Sequence, residues 1–146
     1  MKSLLSILFL ALFISCSSNE DDFSMDNETE ILEYIQSHNL TATKTSSGLY
    51  YVITDPGTGN KPNQNSTVTV NYIGKFTNGN TFDQGQNITF NLQNVIPGWT
   101  EGLTYFNEDG QGLLLIPSHL GYGANGSNGI PGGSVLVFNI HLLGIN

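Results

Sequence analysis

The chain has 146 residues, enough for one domain with a modest core, and a net charge of −8 from 12 acidic residues against four lysines and no arginine. Seven of the acids fall within residues 20–33, so from Thr41 onward three lysines face five acids and the charge is close to balanced. With no basic patch to displace counterions from phosphates, a nucleic-acid partner is excluded, and the single cysteine excludes an intrachain disulfide and a thiolate metal cluster.

Lys2 precedes an apolar run over residues 4–14, broken only by Ser6, which has the length of a signal-peptide core and is too short to span a bilayer. Residues 1–15 are therefore read as a signal peptide, outside the fold. Phe13-Ile14-Ser15-Cys16 ends the run with a small residue before the sole cysteine, and it resembles the lipobox of bacterial lipoproteins. That resemblance implies acylation of Cys16 and a membrane contact through the lipid anchor, each buried CH₂ contributing about 0.8 kcal/mol. Residues 16–26 read as a solvated acidic tether. Its first residues resemble a signal that, in one group of Gram-negative bacteria, routes lipoproteins to the outer face of the outer membrane. The expected location is the cell envelope, lipid-anchored to the outer membrane and periplasmic or surface-exposed.

Asn27 and Glu30 have the spacing of an N-cap with a capping box, and Ile31, Leu32 and Ile35 supply an apolar stripe before Asn39. A helix opening at Asn27 is predicted, within a segment of helix and linker over residues 27–47. About ten residues cannot form a stable helix alone, so it must pack on the domain.

From Ser47 the hydrophobic period becomes two. Residues 49–53 form a strand candidate closed by the turn Asp55-Pro56-Gly57, and Val68, Val70 and Tyr72 then share one face of a half-buried strand. Thr77-Asn78-Gly79-Asn80 carries a hairpin signal, Phe82-Asp83 opens the next strand, and Ile88, Phe90 and Leu92 alternate after it. At Pro97-Gly98 the chain changes direction. Trp99, Leu103 and Phe106 then fall at i, i+4 and i+7, one face of a short helix holding the only Trp. On pattern alone Trp99 reads as core. Residues 113–116 and 135–143 are the remaining strand candidates, the latter with Leu136, Phe138, Ile140 and Leu142 on one face. The glycine-rich stretch 117–134 between them is no phosphate-binding loop, because no lysine follows and no helix opens after it. Its Tyr122, Ile130 and Pro131 exceed what a solvated loop requires.

Six blocks carry a family resemblance: residues 68–74 (Val68 to Gly74), Thr81-Phe82-Asp83, residues 95–102 (Val95 to Gly102), Ile116-Pro117-Ser118, Gly121-Tyr122-Gly123 and Leu136-Val137-Phe138. In order and spacing they resemble the FKBP-type peptidyl-prolyl cis-trans isomerases, over residues 48–146 read as the isomerase domain. The resemblance implies an α+β fold, an antiparallel sheet of five or six strands wrapped around one short helix, with the small N-terminal helix added. This agrees with the strands and helix read above. It also implies an enzyme that needs no cofactor and no metal, takes proline-containing polypeptides as partners, is inhibited by macrolides and works as a monomer.

By the same resemblance, the proline ring of the substrate rests on the indole of Trp99 within walls matching Tyr72, Phe82, Val95, Ile96 and Phe138. Ile96 also matches the position whose backbone N–H meets a substrate carbonyl. Tyr122 matches a loop tyrosine that bonds the substrate backbone, Asp83 the acid at the pocket edge, and Ile130 the apolar residue at the loop tip. Two departures stand out: Ile88 where many members have Phe, and no Arg in residues 84–87 to pair with Asp83. The alternative function is a non-catalytic module that docks a proline-containing partner in an envelope assembly such as a motility or secretion machine.

Overall fold

A computed structural model describes residues 22–146. The signal peptide and Cys16 lie outside the described residues. The order is α1 (Ser24–Ser37), β1 (Thr43–Lys44), β2 (Tyr50–Asp55), β3 (Thr67–Lys75), β4 (Thr81–Asn91), α2 (Pro97–Gly102), β5 (Gln111–Ile116) and β6 (Leu136–Ile145). The strands make one sheet in the order β1-β2-β5-β6-β3-β4 with every pair antiparallel. This is the α+β architecture expected from the sequence.

Two layers of apolar packing lie on opposite faces of the sheet. On the inner face, α2 and the 3₁₀ turn Leu103–Tyr105 bury Trp99, Leu103 and Phe106 against Val68, Val70, Leu114, Phe138 and Ile140. Trp99 and Leu103 keep the expected helical spacing, whereas Phe106, expected on the same helix, follows the 3₁₀ turn in an extended conformation and is buried beside them. Pro97 sits in the first turn of α2, where its missing N–H removes no helical bond. Gly98 and Gly102 let α2 lie flat on β5, since a Cβ on them would stand 2.6 Å from the side chains of Ile116 and Leu114.

On the outer face, α1 docks through Ile31, which is buried with Tyr50, Leu115, Val135 and Val137. This second layer explains why β6 departs from simple alternation at its start. Leu136, Val137 and Phe138 are all buried because α1 covers one face and α2 the other. Glu28 fixes the same helix through Lys44 Nζ at 2.8 Å and the Tyr50 hydroxyl at 2.5 Å.

Two features of α1 correct the sequence reading. The helix begins three residues before Asn27, which is not its N-cap: the Asn27 N–H already bonds to the Phe23 carbonyl at 2.7 Å. Its side chain is committed elsewhere, to Ser118 and Gly133, so tertiary partners override the capping pattern. Ser24, Met25 and Asp26, expected in the tether, form the first turn of α1. Leu32, assigned to the apolar stripe with Ile31 and Ile35, is 47% exposed, because one residue along a helix turns about 100° away from the docked face.

The β3–β4 hairpin forms at its Asn-Gly signal, with the Phe76 N–H on the Asn80 carbonyl and Gly79 at φ +90°. The strand opened by Phe82 and the alternating stretch after it prove to be one edge strand. Its register shifts between Val70 and Tyr72 of the partner, where Asn87 takes φ +54° and donates its N–H to Asn71 Oδ1. No helix among the described residues is long and apolar enough to cross a membrane.

Candidate functional site

Between α2, β3, β4 and β6 lies a cleft of about 420 Å³, lined by Tyr72, Asp83, Phe90, Asn94, Val95, Ile96, Trp99, Tyr122 and Phe138. Its core is one indole ringed by three aromatic edges. Tyr72, Phe90 and Phe138 stand nearly perpendicular to Trp99, with centroids at 5.1, 5.4 and 5.2 Å. In each such edge-to-face pair the positive rim of one ring meets the negative face of the other, and three of them hold the indole in one orientation. Trp99 is 4% exposed, and its Nε1 is buried with no hydrogen-bond partner among the described residues.

The aromatic wall runs beyond the cleft. Phe138 meets Phe82 at 5.5 Å and 90°, and Phe82 meets Phe76 at 5.0 Å. Phe82 and Ile130 therefore line an adjoining groove of about 430 Å³ together with Phe76, sharing Asp83 and Tyr122 with the cleft. All nine site residues expected from the sequence thus fall in these two continuous hollows. Sequence reasoning missed Phe90 as a wall. Ile88, which stands where many members of the family have Phe, is 39% exposed and lines neither hollow, whereas Phe90, two residues on, supplies a ring. The signal is the alternation of Ile88, Phe90 and Leu92, which places all three on one face without saying which of them reaches Trp99.

The polar groups of the cleft are few and neutral apart from Asp83. Asp83 Oδ2 accepts from the Tyr72 hydroxyl at 3.0 Å and Oδ1 from the Gln84 N–H at 2.9 Å. The tyrosine hydroxyl thus occupies the acid in a chain that has no arginine. Burial foremost, then the hydrogen bond and charge of Asp83, push Tyr72 up to about 12. Tyr122 is also raised, by burial first and the Asp83 charge second. Both hydroxyls stay protonated at neutral pH and remain hydrogen-bond donors.

No nucleophile stands beside a base in this cleft, and among the described residues no group of three or more His, Cys, Asp or Glu side chains is placed to hold a metal. A larger hollow of about 520 Å³ on the sheet is lined by amides such as Gln84, Gln111 and Asn139 together with Ile73, Leu113 and His141. It lacks the aromatic floor of the cleft, so it does not suit an apolar ring.

An antiparallel sheet packed on a short helix, with an aromatic cleft around one indole, is the fold and site of a domain that binds a small apolar group. Residues 58–143 match the family model of the FKBP-type peptidyl-prolyl cis-trans isomerases, and the chain belongs to that family. FkpA of Escherichia coli strain K12, named an FKBP-type peptidyl-prolyl cis-trans isomerase, is 39% identical over 137 residues, covering 90% of this chain and 51% of FkpA. The FkpA of Buchnera aphidicola subsp. Baizongia pistaciae is 45% identical over 108 residues, covering 71% of this chain and 43% of its own.

The crystal structure of E. coli FkpA superposes with a TM-score of 0.75 at 38% identity, covering 87% of this chain and 62% of that one. A peptidyl-prolyl cis-trans isomerase from Pseudomonas syringae pv. tomato gives 0.73 at 31% identity, covering 84% of this chain and 96% of that one. The chain spans about half the length of the curated relatives it matches.

Proposed function

We propose that this protein is a peptidyl-prolyl cis-trans isomerase that assists the folding of exported or envelope proteins. The observation that carries the reading is the Trp99 floor under three perpendicular aromatic rings, with two un-ionised tyrosines at its edge and no nucleophile. Isomerisation asks for nothing more. Rotating an Xaa–Pro bond breaks amide resonance against a barrier of about 18–20 kcal/mol without cleaving a bond. The uncatalysed exchange takes tens to hundreds of seconds, so a reduction of roughly 5–8 kcal/mol suffices for useful turnover.

In this reading the proline ring lies on Trp99 between Tyr72, Phe90, Val95 and Phe138, and the Ile96 N–H and Tyr122 hydroxyl hold the flanking carbonyls. Phe82 and Ile130 receive the neighbouring part of the chain, and Asp83 shapes the edge through Tyr72. The twisted amide is less polar than the planar one, so a dry aromatic site with fixed donors favours it over the ground state. Direct NMR exchange on an Xaa–Pro peptide tests this: cross-peaks between cis and trans forms should broaden at substoichiometric protein, and a macrolide mimic of the twisted amide should abolish the effect. Binding of the peptide without any acceleration would assign the cleft to docking instead.

The reading includes acylation at Cys16, anchoring in the outer membrane and action as a monomer. Its support is the position of the only cysteine at the end of the apolar run. Cys16→Ala should stop incorporation of labelled palmitate, and incorporation equal to the parent would refute the anchor.

A further inference from the structure

The N-terminal helix does more than cover the sheet, because its polar side chains reach past the strands to the two lips of the cleft. Asn27 is 2% exposed, and its single amide holds both roots of the loop that carries Tyr122 and Ile130. Oδ1 accepts the Ser118 N–H at 2.7 Å, and Nδ2 donates to the Gly133 carbonyl at 2.9 Å. The loop between these roots is tied to itself, with the Gly123 N–H on the Ser118 carbonyl at 2.8 Å and the Gly133 N–H on the Gly123 carbonyl at 2.9 Å. It moves, or stays, as one body.

The opposite lip is held by the same helix face. Glu30, three residues after Asn27, accepts from the Thr77 hydroxyl in the β3–β4 turn, whose flanks carry Phe76, Phe82 and Asp83. At the start of the helix the Phe23 ring packs where a Cβ of Gly133 would stand, 2.5 Å away, so only glycine at that root lets the helix approach. α1 also has contacts away from the lips. Ile31 with Tyr50, Leu115 and Val137, and Glu28 with Lys44 and Tyr50, already fix it to the sheet.

We infer that α1 is a brace that sets the width of the substrate cleft, with Asn27 and Glu30 as positioning residues for the lips that grip a proline-containing chain. Asn27 lies outside residues 58–143, so the brace is an addition to the family-matched segment. Its effect belongs to binding. Releasing a lip lowers the fraction of molecules with both lips in place, which weakens apparent affinity by that fraction and leaves the rotation step as it was. The kinetic part of this inference rests on the isomerase reading; the mechanical part does not.

The test uses the full chain with Asn27→Leu, Asn27→Asp, Glu30→Ala and Glu30→Gln, read by amide hydrogen exchange, by KM and kcat on a short Xaa–Pro peptide, and by thermal unfolding. Asn27→Leu should speed exchange at Gly123, Ile130 and Gly133 by about tenfold or more while β5 and β6 amides keep their protection. KM should rise about 3–10-fold with kcat within about twofold. Asn27→Asp keeps the acceptor for the Ser118 N–H and should restore part of the affinity, and Glu30→Gln should restore what Glu30→Ala loses.

Exchange that accelerates evenly across the sheet, or a fall in kcat at unchanged KM, would make Asn27 a fold anchor and overturn the brace. Should Asn27→Leu fail to fold, the Glu30 pair decides: equal KM and equal exchange in Glu30→Ala and the parent would sink the idea. If the parent chain itself shows no turnover, the isomerase reading fails, and local against uniform exchange alone decides whether the brace exists.

Discussion

The floor of the cleft and its lips are built by different physics. Trp99, Phe138 and α2 are held by burial: their neighbours are apolar, their contacts are many, and the glycines at 98 and 102 allow the helix to touch the sheet. The lips, residues 118–133 and the β3–β4 turn, place only partly buried side chains such as Leu120, Ile130 and Phe76 against the core and depend in addition on hydrogen bonds, among them those from α1. A floor made by packing is stiff and tied to global stability. A lip made by a few hydrogen bonds can be altered without touching the fold, so stability and affinity should separate between the two regions.

The largest effect should come from the floor. Phe138→Ala removes a ring that is 3% exposed and shared by core and cleft, and such deletions cost about 3–5 kcal/mol. Thermal unfolding should fall by on the order of 10 °C, with turnover lost in the same variant. A variant of unchanged melting temperature would show that Phe138 packs far more loosely than its burial implies.

At the lip, Tyr122→Phe deletes one neutral hydroxyl, and a single hydrogen bond contributes about 0.5–1.5 kcal/mol. The expected outcome is a loss of about two- to tenfold in kcat/KM with the melting temperature unmoved. A drop in stability as large as that of Phe138→Ala would erase the distinction between floor and lips.

The smallest response should be to pH near neutrality. Tyr72 and Tyr122 are raised above the ordinary tyrosine value and no proton moves in the rotation, so turnover of a peptide without ionisable flanks should be flat between about pH 6 and 8. The sign reverses to a loss only in alkali. An unfolded tyrosine ionises near 10, whereas Tyr72 holds its proton to about 12, so its contribution to stability is complete below about pH 10 and disappears as pH climbs toward 12. Unfolding monitored over that range should show the decline, and Tyr72→Phe should lack its share of it.

The same division explains what could be read from the sequence. Positions 99, 103 and 106, and the alternating strands, are legible because burial imprints a period, and the hairpin at Asn78-Gly79 is legible because only certain residues accept its backbone. The site residues were placed by family resemblance rather than by periodicity, which had assigned Trp99 to the core. Asn27 was misread for a physical reason. Its amide can serve its own helix or a distant loop, and nothing local distinguishes Ser118 and Gly133 from the helix N–H groups as partners. Leu32 is lost to one step of helical rotation, and Phe90 because alternation puts it on one face with Ile88 and Leu92 without saying which of them reaches the indole.

One topological detail bears on how the chain reaches this state. β6 is the latest strand in sequence, yet it lies in the interior of the sheet, bonded to β5 on one side and to β3 on the other, with Val68 opposite Ile145. Until residues 136–145 arrive, the β1-β2-β5 group and the β3-β4 hairpin share no hydrogen-bonded strand and can meet only through the apolar side chains of α2 and its following turn. Such distant pairings place folding in the millisecond-to-second range rather than the microsecond range of helical bundles. Completion of the sheet therefore waits for residues 136–145, whose two ladders join the strands already made.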